Sequence, residues 1–194
     1  MVKKSTRQLW TEALSGSKSL VKTQHVARRY LRGYDGVILG IDPSLRGTGV
    51  AILESREKQN RFIFSERLSF GARLSFYQCL GEIFKKIGDV VDKYHPDCVA
   101  IEQTIFVQNY KIAQILGSVR GAIIAVLANK GIEICEYPPL RIKQAVTGMG
   151  RASKEQVMGT IKNLLNINHE ISGDESDALA VACCHAWTFP LSEK

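Results

Sequence analysis

The sequence has no long uninterrupted hydrophobic stretch. Its longest apolar runs, such as residues 121–128, are far shorter than the roughly 20 residues that a membrane-spanning helix needs. No run has the features of a secretory signal. We therefore expect no membrane segment and a cytoplasmic setting. The 194 residues are 45% apolar, which is enough for one domain with its own core.

Cysteine follows no reactive pattern. The five cysteines show no Cys-x-x-Cys spacing, and none has a histidine nearby at a spacing typical of metal ligands. Two of them are neighbours in an apolar stretch with helical character. We expect reduced, partly buried thiols at all five positions: Cys79, Cys98, Cys135, Cys183 and Cys184.

Acidic residues are nearly absent from the first 33 positions. This segment holds eight Lys or Arg and one acid, whereas residues 34–194 hold 18 bases and 18 acids, so the formal net charge of +7 belongs to the N-terminal segment. Residues 103–173 have a local excess of eight bases over four acids. Both features are compatible with a polyanionic partner, although charge alone is a weak argument for one.

Strand and helix patterns alternate after position 36. The predicted strands are 37–41, 50–53, 61–68, 98–101 and 132–137, and the predicted helices are 74–94, 109–128, 141–147, 154–165 and 174–187. The first three strands are expected to form an antiparallel meander. The order β-β-β-α-β-α-β-α-α predicts an α/β domain with a mixed five-stranded sheet flanked by helices.

Carboxylates stand at the ends of two apolar strands and at the start of the last helix. Asp42 ends the first strand and Glu102 ends the fourth, where open α/β sheets bind ligands. Asp174 and Asp177 are three residues apart and share one helix face. Glu175 is assigned instead to a capping box with the residue at position 172.

These four acids would form one metal site if the first and fourth strands are neighbours. Carboxylates at close quarters repel each other unless cations lie between them, and Mg²⁺ is the natural choice because it keeps waters for a substrate phosphate. Two such ions would serve phosphodiester hydrolysis. Taken singly, Asp42 also fits a turn residue, and Asp174 also fits a favourable charge at a helix N-terminus.

Four motifs follow each other along the chain and resemble one known family. They are Ile38-Leu39-Gly40-Ile41-Asp42-Pro43 with Thr48-Gly49, then Ala100-Ile101-Glu102-Gln103, then a basic segment from Glu136 to Val157, and then Asp174-Glu175-Ser176-Asp177-Ala178-Leu179-Ala180. In order and spacing they resemble the RuvC family of Holliday-junction resolvases, in the ribonuclease-H-like superfamily. The likeness spans residues 37–187.

The resemblance implies an endonuclease that resolves four-way DNA junctions by symmetric nicks. Asp42, Glu102, Asp174 and Asp177 would be both catalytic residues and metal ligands, with two Mg²⁺ ions for which Mn²⁺ could substitute. The implied partners are four-way junction DNA, a second copy in a homodimer, and a branch-migration helicase of the RuvA-RuvB type.

The resemblance also implies DNA contacts outside the acids. Lys143 and Lys154 would hold phosphates near the scissile bond, although each lysine alone reads as a solvated surface charge. Phe106 would stack against an unpaired base at the junction centre, with a place in the core as the alternative. Arg120 is a further candidate for DNA contact.

Two glycines one turn apart distinguish the helix predicted at 109–128. Gly117 and Gly121 lower its helix propensity by about 1 kcal/mol each relative to Ala, so another interaction should compensate. Close approach of a second helix is the physical reason, and the resemblance makes this helix the dimer contact. Tight packing on its own sheet is the alternative.

The chain departs from the family before the first strand. We predict a basic N-terminal extension at 1–35 and a RuvC-like nuclease domain at 36–190. The extension could be a DNA-binding arm, an organelle leader, since it is basic and rich in hydroxyl groups, or an artefact of start-codon choice. An arm or an artefact is favoured because the domain resembles bacterial members.

Two other functions compete with junction cleavage. A related ribonuclease-H-like enzyme would act on RNA, but the segment around Lys143 and the closing acidic motif favour the resolvase branch. A non-catalytic junction-binding or nucleotide-binding protein is the second alternative. The phosphate and adenosine motifs of sugar-kinase-like ATPases are not visible, and all four carboxylates are present.

Overall fold

The computed structural model describes residues 33–57, 59–104 and 108–189 of the chain. The predicted base-stacking residue Phe106 and nearly all of the basic N-terminal segment lie outside these ranges. The proposed division of the chain at position 35 therefore stays a prediction.

Five strands and five helices form the described domain. The strands are β1 (Gly36–Asp42), β2 (Gly47–Arg56), β3 (Gln59–Ser69), β4 (Cys98–Glu102) and β5 (Glu133–Tyr137). The helices are α1 (Phe76–Tyr94), α2 (Tyr110–Asn129), α3 (Pro139–Thr147), α4 (Lys154–Leu164) and α5 (Gly173–Thr188). Each element lies where its pattern predicts it. Three helices follow β5, whereas the element order predicted from the sequence has two after the fifth strand.

The strands form a single mixed sheet in the order β3-β2-β1-β4-β5. The first three strands pair antiparallel, as the predicted meander requires, whereas β4 pairs parallel to β1 and β5 parallel to β4. In this arrangement β1 lies at the centre. Because β1 and β4 are parallel neighbours, their carboxyl ends meet at the same edge of the sheet.

Helices cover both faces of the sheet, and the alternation of side chains along the strands divides the core in two. Leu39 and Ile41 of β1 face α1 and α2, in a cluster that includes Ile83 and Ile123. Ile38 faces the other way and packs with α3, α4 and α5. Helix α5 is buried along most of its length because it lies directly on the sheet.

Helix α2 differs from the other helices in its exposed apolar surface. It buries one side, through Val119, Ile123, Val126 and Leu127. By length and composition it is the one described helix that could cross a membrane, with 20 residues, a mean hydropathy of 1.6 and only 22% of its most apolar window buried. Length and composition alone do not distinguish a membrane span from a helix of a soluble protein, so the expectation of no membrane segment stays a prediction.

All five cysteines carry free thiols, and four of them are buried. The structure adds a contact that the sequence spacing hides. The Cys98 thiol lies 3.2 Å from Nε2 of His185, whose Nδ1 lies 2.9 Å from the Tyr137 hydroxyl. Burial lowers the pKa of His185 to about 4. This polar group is enclosed between the sheet and α5.

Candidate active site

Asp42 and Glu102 lie side by side at the carboxyl edge of the sheet. Ile41 of β1 is the register partner of Ile101 of β4, so the next residue of each strand emerges at the same level. The two carboxyl groups share a hydrogen bond. The adjacency of the first and fourth strands, which the sequence could pose only as a condition, is thus present.

The turn after Asp42 is held by a buried threonine. The Thr48 hydroxyl donates to the backbone carbonyl of Ser44 and accepts from the backbone N–H of the same residue. Thr48 is fully buried. The turn therefore has a defined shape, and it places Asp42 at the rim of a cleft instead of on a mobile loop.

Two glycines let α5 come close enough to add its acids to the cluster. A Cβ added at Gly49 of β2 would lie 1.9 Å from the backbone oxygen of Asp174, and one added at Gly40 of β1 would lie 2.1 Å from that of Ala178. Real Cβ atoms do not approach so closely, so both positions require glycine. The first turn of α5 can then lie on the sheet and bring Asp174 and Asp177 toward Asp42.

A capping box starts α5 at this place, as predicted. The Ser172 hydroxyl accepts from the backbone N–H of Glu175, and the Glu175 carboxylate accepts from that of Ser172. The same carboxylate also accepts a hydrogen bond of 2.8 Å from the Ser65 hydroxyl of β3. Glu175 therefore fixes the helix start against the sheet and is directed away from the acid cluster.

The electrostatics of the cluster are those of crowded carboxylates. Burial, together with repulsion from Glu102, Asp177 and Asp174, raises the pKa of Asp42 to about 8. Burial also raises the pKa of Glu102, and the hydrogen bond with Asp42 opposes this rise. The Asp42–Glu102 pair therefore holds a proton where two separate carboxylates would both be ionised.

Two lysines line the same cleft. The cavity has a volume of about 120 Å³ and is lined by Asp42, Glu102, Asp177, Lys143, Lys154 and apolar residues of α3, α4 and α5. The Lys154 ammonium lies 2.9 Å from a carboxylate oxygen of Asp177, which raises the pKa of the lysine. Both lysines thus lie beside the acids, as the resemblance implies.

Arg67 is a residue of this region that the sequence did not reveal. Its Nε lies 2.5 Å from a carboxylate oxygen of Asp174, 107 positions further along the chain. An exposed arginine in a polar strand reads as an ordinary surface charge. The only hint lies in the pairing, because Arg67 is the register partner of Gly49, on which α5 rests.

Arg120 makes protein contacts instead of facing open solvent. It donates 2.6 Å hydrogen bonds to the backbone carbonyl of Glu102 and to the carboxylate of Glu136. Its side chain is 14% exposed. In the free protein, Arg120 therefore ties α2 to the ends of β4 and β5, and a contact with DNA stays a prediction.

The four carboxylates supply the oxygen ligands that a hard divalent cation prefers. In the free chain their negative charge is balanced in another way. Four carboxylates lie near each other, and burial together with their mutual repulsion raises the pKa of Asp42 and burial raises that of Glu102. Lys154 and Arg67 pair with the other two. Within the described ranges, no three His, Cys, Asp or Glu side chains are already arranged as a ligand set. Metal binding would therefore displace a proton and two basic side chains.

The mixed sheet, with its acids at the carboxyl ends of β1 and β4 and on a helix laid across the sheet, has the architecture of a ribonuclease-H-like nuclease. Residues 38–185 match the family model described as "Crossover junction endodeoxyribonuclease RuvC". The chain therefore belongs to the RuvC family, which is a family of metal-dependent nucleases.

Individual relatives agree with this assignment. The chain is 38% identical over 157 residues to the RuvC of Bordetella avium, covering 81% of this chain and 87% of that protein. It is 40% identical over 149 residues to the RuvC of Cupriavidus metallidurans, covering 77% and 82%. The structure described as "T. thermophilus RuvC in complex with Holliday junction substrate" has a TM-score of 0.73 at 26% identity, covering 78% of this chain and 93% of that one.

Proposed function

We propose that the protein resolves four-way DNA junctions by Mg²⁺-dependent hydrolysis of symmetrically placed phosphodiester bonds. The observation that carries this proposal is the convergence of Asp42, Glu102 and Asp177 on one cleft, with Asp174 near enough to raise the pKa of Asp42, in a member of the RuvC family. The substrate follows from the family description and from the Thermus thermophilus relative, whose structure contains a Holliday junction.

The four crowded carboxylates would hold the metal.

 Mg²⁺ bound there would activate a water and stabilise the leaving oxygen of the phosphodiester. Two ions per site are proposed because four acids offer more ligands than one Mg²⁺ takes from protein, and Mn²⁺ is expected to substitute. A cation bound there would favour the ionised forms of Asp42 and Glu102, because metal ligands must be deprotonated.

The basic side chains of the cleft would hold the DNA backbone. Lys154 pairs with Asp177 in the free protein, and its side chain is 74% exposed, so it is free to turn to a phosphate. Lys143 lines the same cavity. Together they would position the scissile phosphate over the acids, which is a role that needs positive charge but no particular DNA sequence.

A homodimer is proposed because a four-way junction needs two cuts and the described part of each chain has one acid cluster. Helix α2 offers the surface. Tyr110 is 73% exposed and Ile112 48%. A Cβ added at Gly117 or Gly121 would meet no atom within 4 Å, so these glycines do not serve packing against the described part of this chain. Close approach of a second α2 explains both glycines and the exposed apolar residues.

Three further elements of the proposal are supported by the sequence and the family alone. Phe106 follows the strand that carries Glu102 and is the aromatic residue available to stack on a junction base. A branch-migration helicase of the RuvA-RuvB type is the expected partner. The cytoplasm is the expected compartment, with the apolar surface of α2 covered by a second copy and not by a membrane.

Cleavage of a labelled four-way DNA junction tests the proposal. Wild type should nick opposite strands in Mg²⁺ and be inactive in EDTA, whereas Asp42→Asn should be inactive in both. Asp92→Asn, which changes an exposed acid of α1 that pairs with Lys130, is the matched control and should cut like wild type. Cleavage of structured RNA in preference to the junction would overturn the proposal, as would equal cleavage by Asp42→Asn.

A further inference from the structure

A second cavity lies beside β3. It has a volume of about 490 Å³ and is lined by Arg46, Arg67, Ser69, Phe70, Gly71 and Ala72. Arg67 joins the two sites, because it lines this cavity and also pairs with Asp174 of the acid cluster. The acids are thus flanked by lysines on one side and by an arginine-lined groove on the other.

The two arginines that line this second cavity, Arg46 and Arg67, make different contacts. Arg46 donates to the backbone carbonyls of Gly71 and Leu74 at 2.7 and 2.9 Å, and it also contacts the Cys79 thiol. Its donors are therefore used to hold the loop between β3 and α1. Arg46 shapes the wall of the groove and has little capacity left for a ligand.

Arg67 is placed to bind a ligand. Its side chain is 48% exposed, and among the described residues Asp174 is its only ionic partner. Leu68 is buried against α1 and α2, so Arg67 and Ser69 emerge on the opposite face of β3, the face that carries α5. A guanidinium and a hydroxyl on the same face of one strand are both donors to an anion.

Gly47 gives the guanidinium its position. A Cβ added at Gly47 would lie 2.8 Å from Nε and Nη2 of Arg67 and 3.1 Å from a carboxylate oxygen of Asp174. The guanidinium therefore lies directly over the glycine, close to the acid cluster. A side chain at position 47 would push Arg67 away from the acids without removing its charge.

We propose that Arg67 and the groove beyond it form a second phosphate-binding subsite, so that the substrate strand crosses the acids from the lysine side to the arginine side. This inference rests on the proposed function. The guanidinium fork matches a phosphate as well as it matches a carboxylate. Arg67 pairs with Asp174 in the free protein and turns to the phosphate flanking the scissile one when Asp174 is engaged as a metal ligand.

Binding of a four-way junction at several salt concentrations tests the subsite in the full-length protein. Ca²⁺ replaces Mg²⁺ in these titrations, and the strands are checked to be uncut at the end. Arg67→Gln should weaken binding roughly tenfold at low salt and reduce the salt slope by about 0.9, the value for one lost phosphate contact. Arg67→Lys should restore most of the slope, because it restores the charge.

Arg61→Gln is the matched control. Arg61 lies on the same strand and also pairs with an acid, Glu54, away from the cleft. Its substitution should leave the salt slope at the wild-type value. An unchanged slope in Arg67→Gln, or an equal loss in Arg61→Gln, would overturn the subsite.

Single neutral methylphosphonate groups, introduced in turn beside the cleavage site, locate the contact. One position should weaken binding of wild type and have no further effect on Arg67→Gln, whereas additive losses at every position would overturn the assignment. Failure of the proposed function looks different, since wild type itself would then neither bind nor cut the junction selectively.

Discussion

The ammonium of Lys154 lies 2.9 Å from a carboxylate oxygen of Asp177, which stands 23 residues further along the chain. The pair joins the start of α4 to the N-terminal part of α5 at the acid cleft. In the free protein the lysine thus neutralises an acid that we assign to the metal. The same lysine is available to a phosphate once that acid has another partner.

Replacement of Lys154 by glutamine should therefore weaken junction binding and reduce its salt dependence. One lost phosphate contact corresponds to a decrease of about 0.9 in the salt slope, measured by fluorescence anisotropy. Lys162→Gln on the same helix is the control, because Lys162 pairs with Glu170 outside the cleft. Identical slopes for the two variants would contradict the role of Lys154.

Gly49→Ala should destabilise the protein and abolish cleavage, because the new methyl group would overlap the backbone carbonyl of Asp174. Overpacking of this kind costs roughly 1–3 kcal/mol, and α5 must shift for the chain to fold at all. Urea unfolding and junction cleavage measure both effects.

Gly159→Ala is the control for this substitution. A Cβ at Gly159 of α4 meets nothing within 4 Å among the described residues. It should leave cleavage unchanged and stabilise the helix by up to about 1 kcal/mol. A Gly49→Ala protein with wild-type stability and activity would show that α5 does not need this close approach.

Much of the architecture could be predicted from local pattern. The apolar runs of β1 and β4 and the capping box at Ser172 are local signals, and each element lies where its signal predicts it. The pairing of β1 with β4 is not local. It brings Ile41 beside Ile101, 60 residues apart, and the sequence could state it only as a condition for the acid cluster.

The missed features of the site are also long-range contacts. The pairing of Arg67 with Asp174 depends on how α5 lies across the sheet, and an exposed arginine gives no sign of this. The same holds for Gly49. Its neighbourhood reads as a turn, whereas its essential property is the space that it leaves for the Asp174 backbone.

The metal-free protein should lose stability as the pH rises, and the loss should depend on Asp42. Its pKa is raised to about 8 in the folded state, above the value of about 3.9 in an unfolded chain. Folding thus favours the protonated form, and this contribution is complete below about pH 4 and lost as the pH rises through about 8.

Melting temperatures in EDTA between about pH 5 and 8 measure this effect. Wild type should lose more of its Tm across this range than Asp42→Asn, whose amide cannot ionise. Added Mg²⁺ should raise the wild-type Tm more at the high end of the range, because the ligands must be deprotonated. If the Tm of both proteins changes equally with pH in EDTA, the pKa of Asp42 is not raised in the folded state.

Gly117→Leu should convert the proposed dimer into a monomer that binds junctions poorly. The leucine projects from α2 into the space that we assign to the second copy, and it disturbs no described part of its own chain. Sedimentation equilibrium measures the change. Gly81→Leu, at an open position of α1, is the control and should remain dimeric. If the Gly117→Leu protein forms a dimer of normal affinity, α2 does not form the interface at this position.

Anomalous diffraction from crystals grown with Mn²⁺ tests the central claim most directly, because it locates the cation itself. We predict manganese within coordination distance of Asp42 and of at least one acid of α5, with Lys154 and Arg67 turned away from Asp177 and Asp174. Manganese bound elsewhere, or an acid cleft without manganese at a concentration that supports full cleavage, would contradict the assignment of this cluster as the catalytic centre.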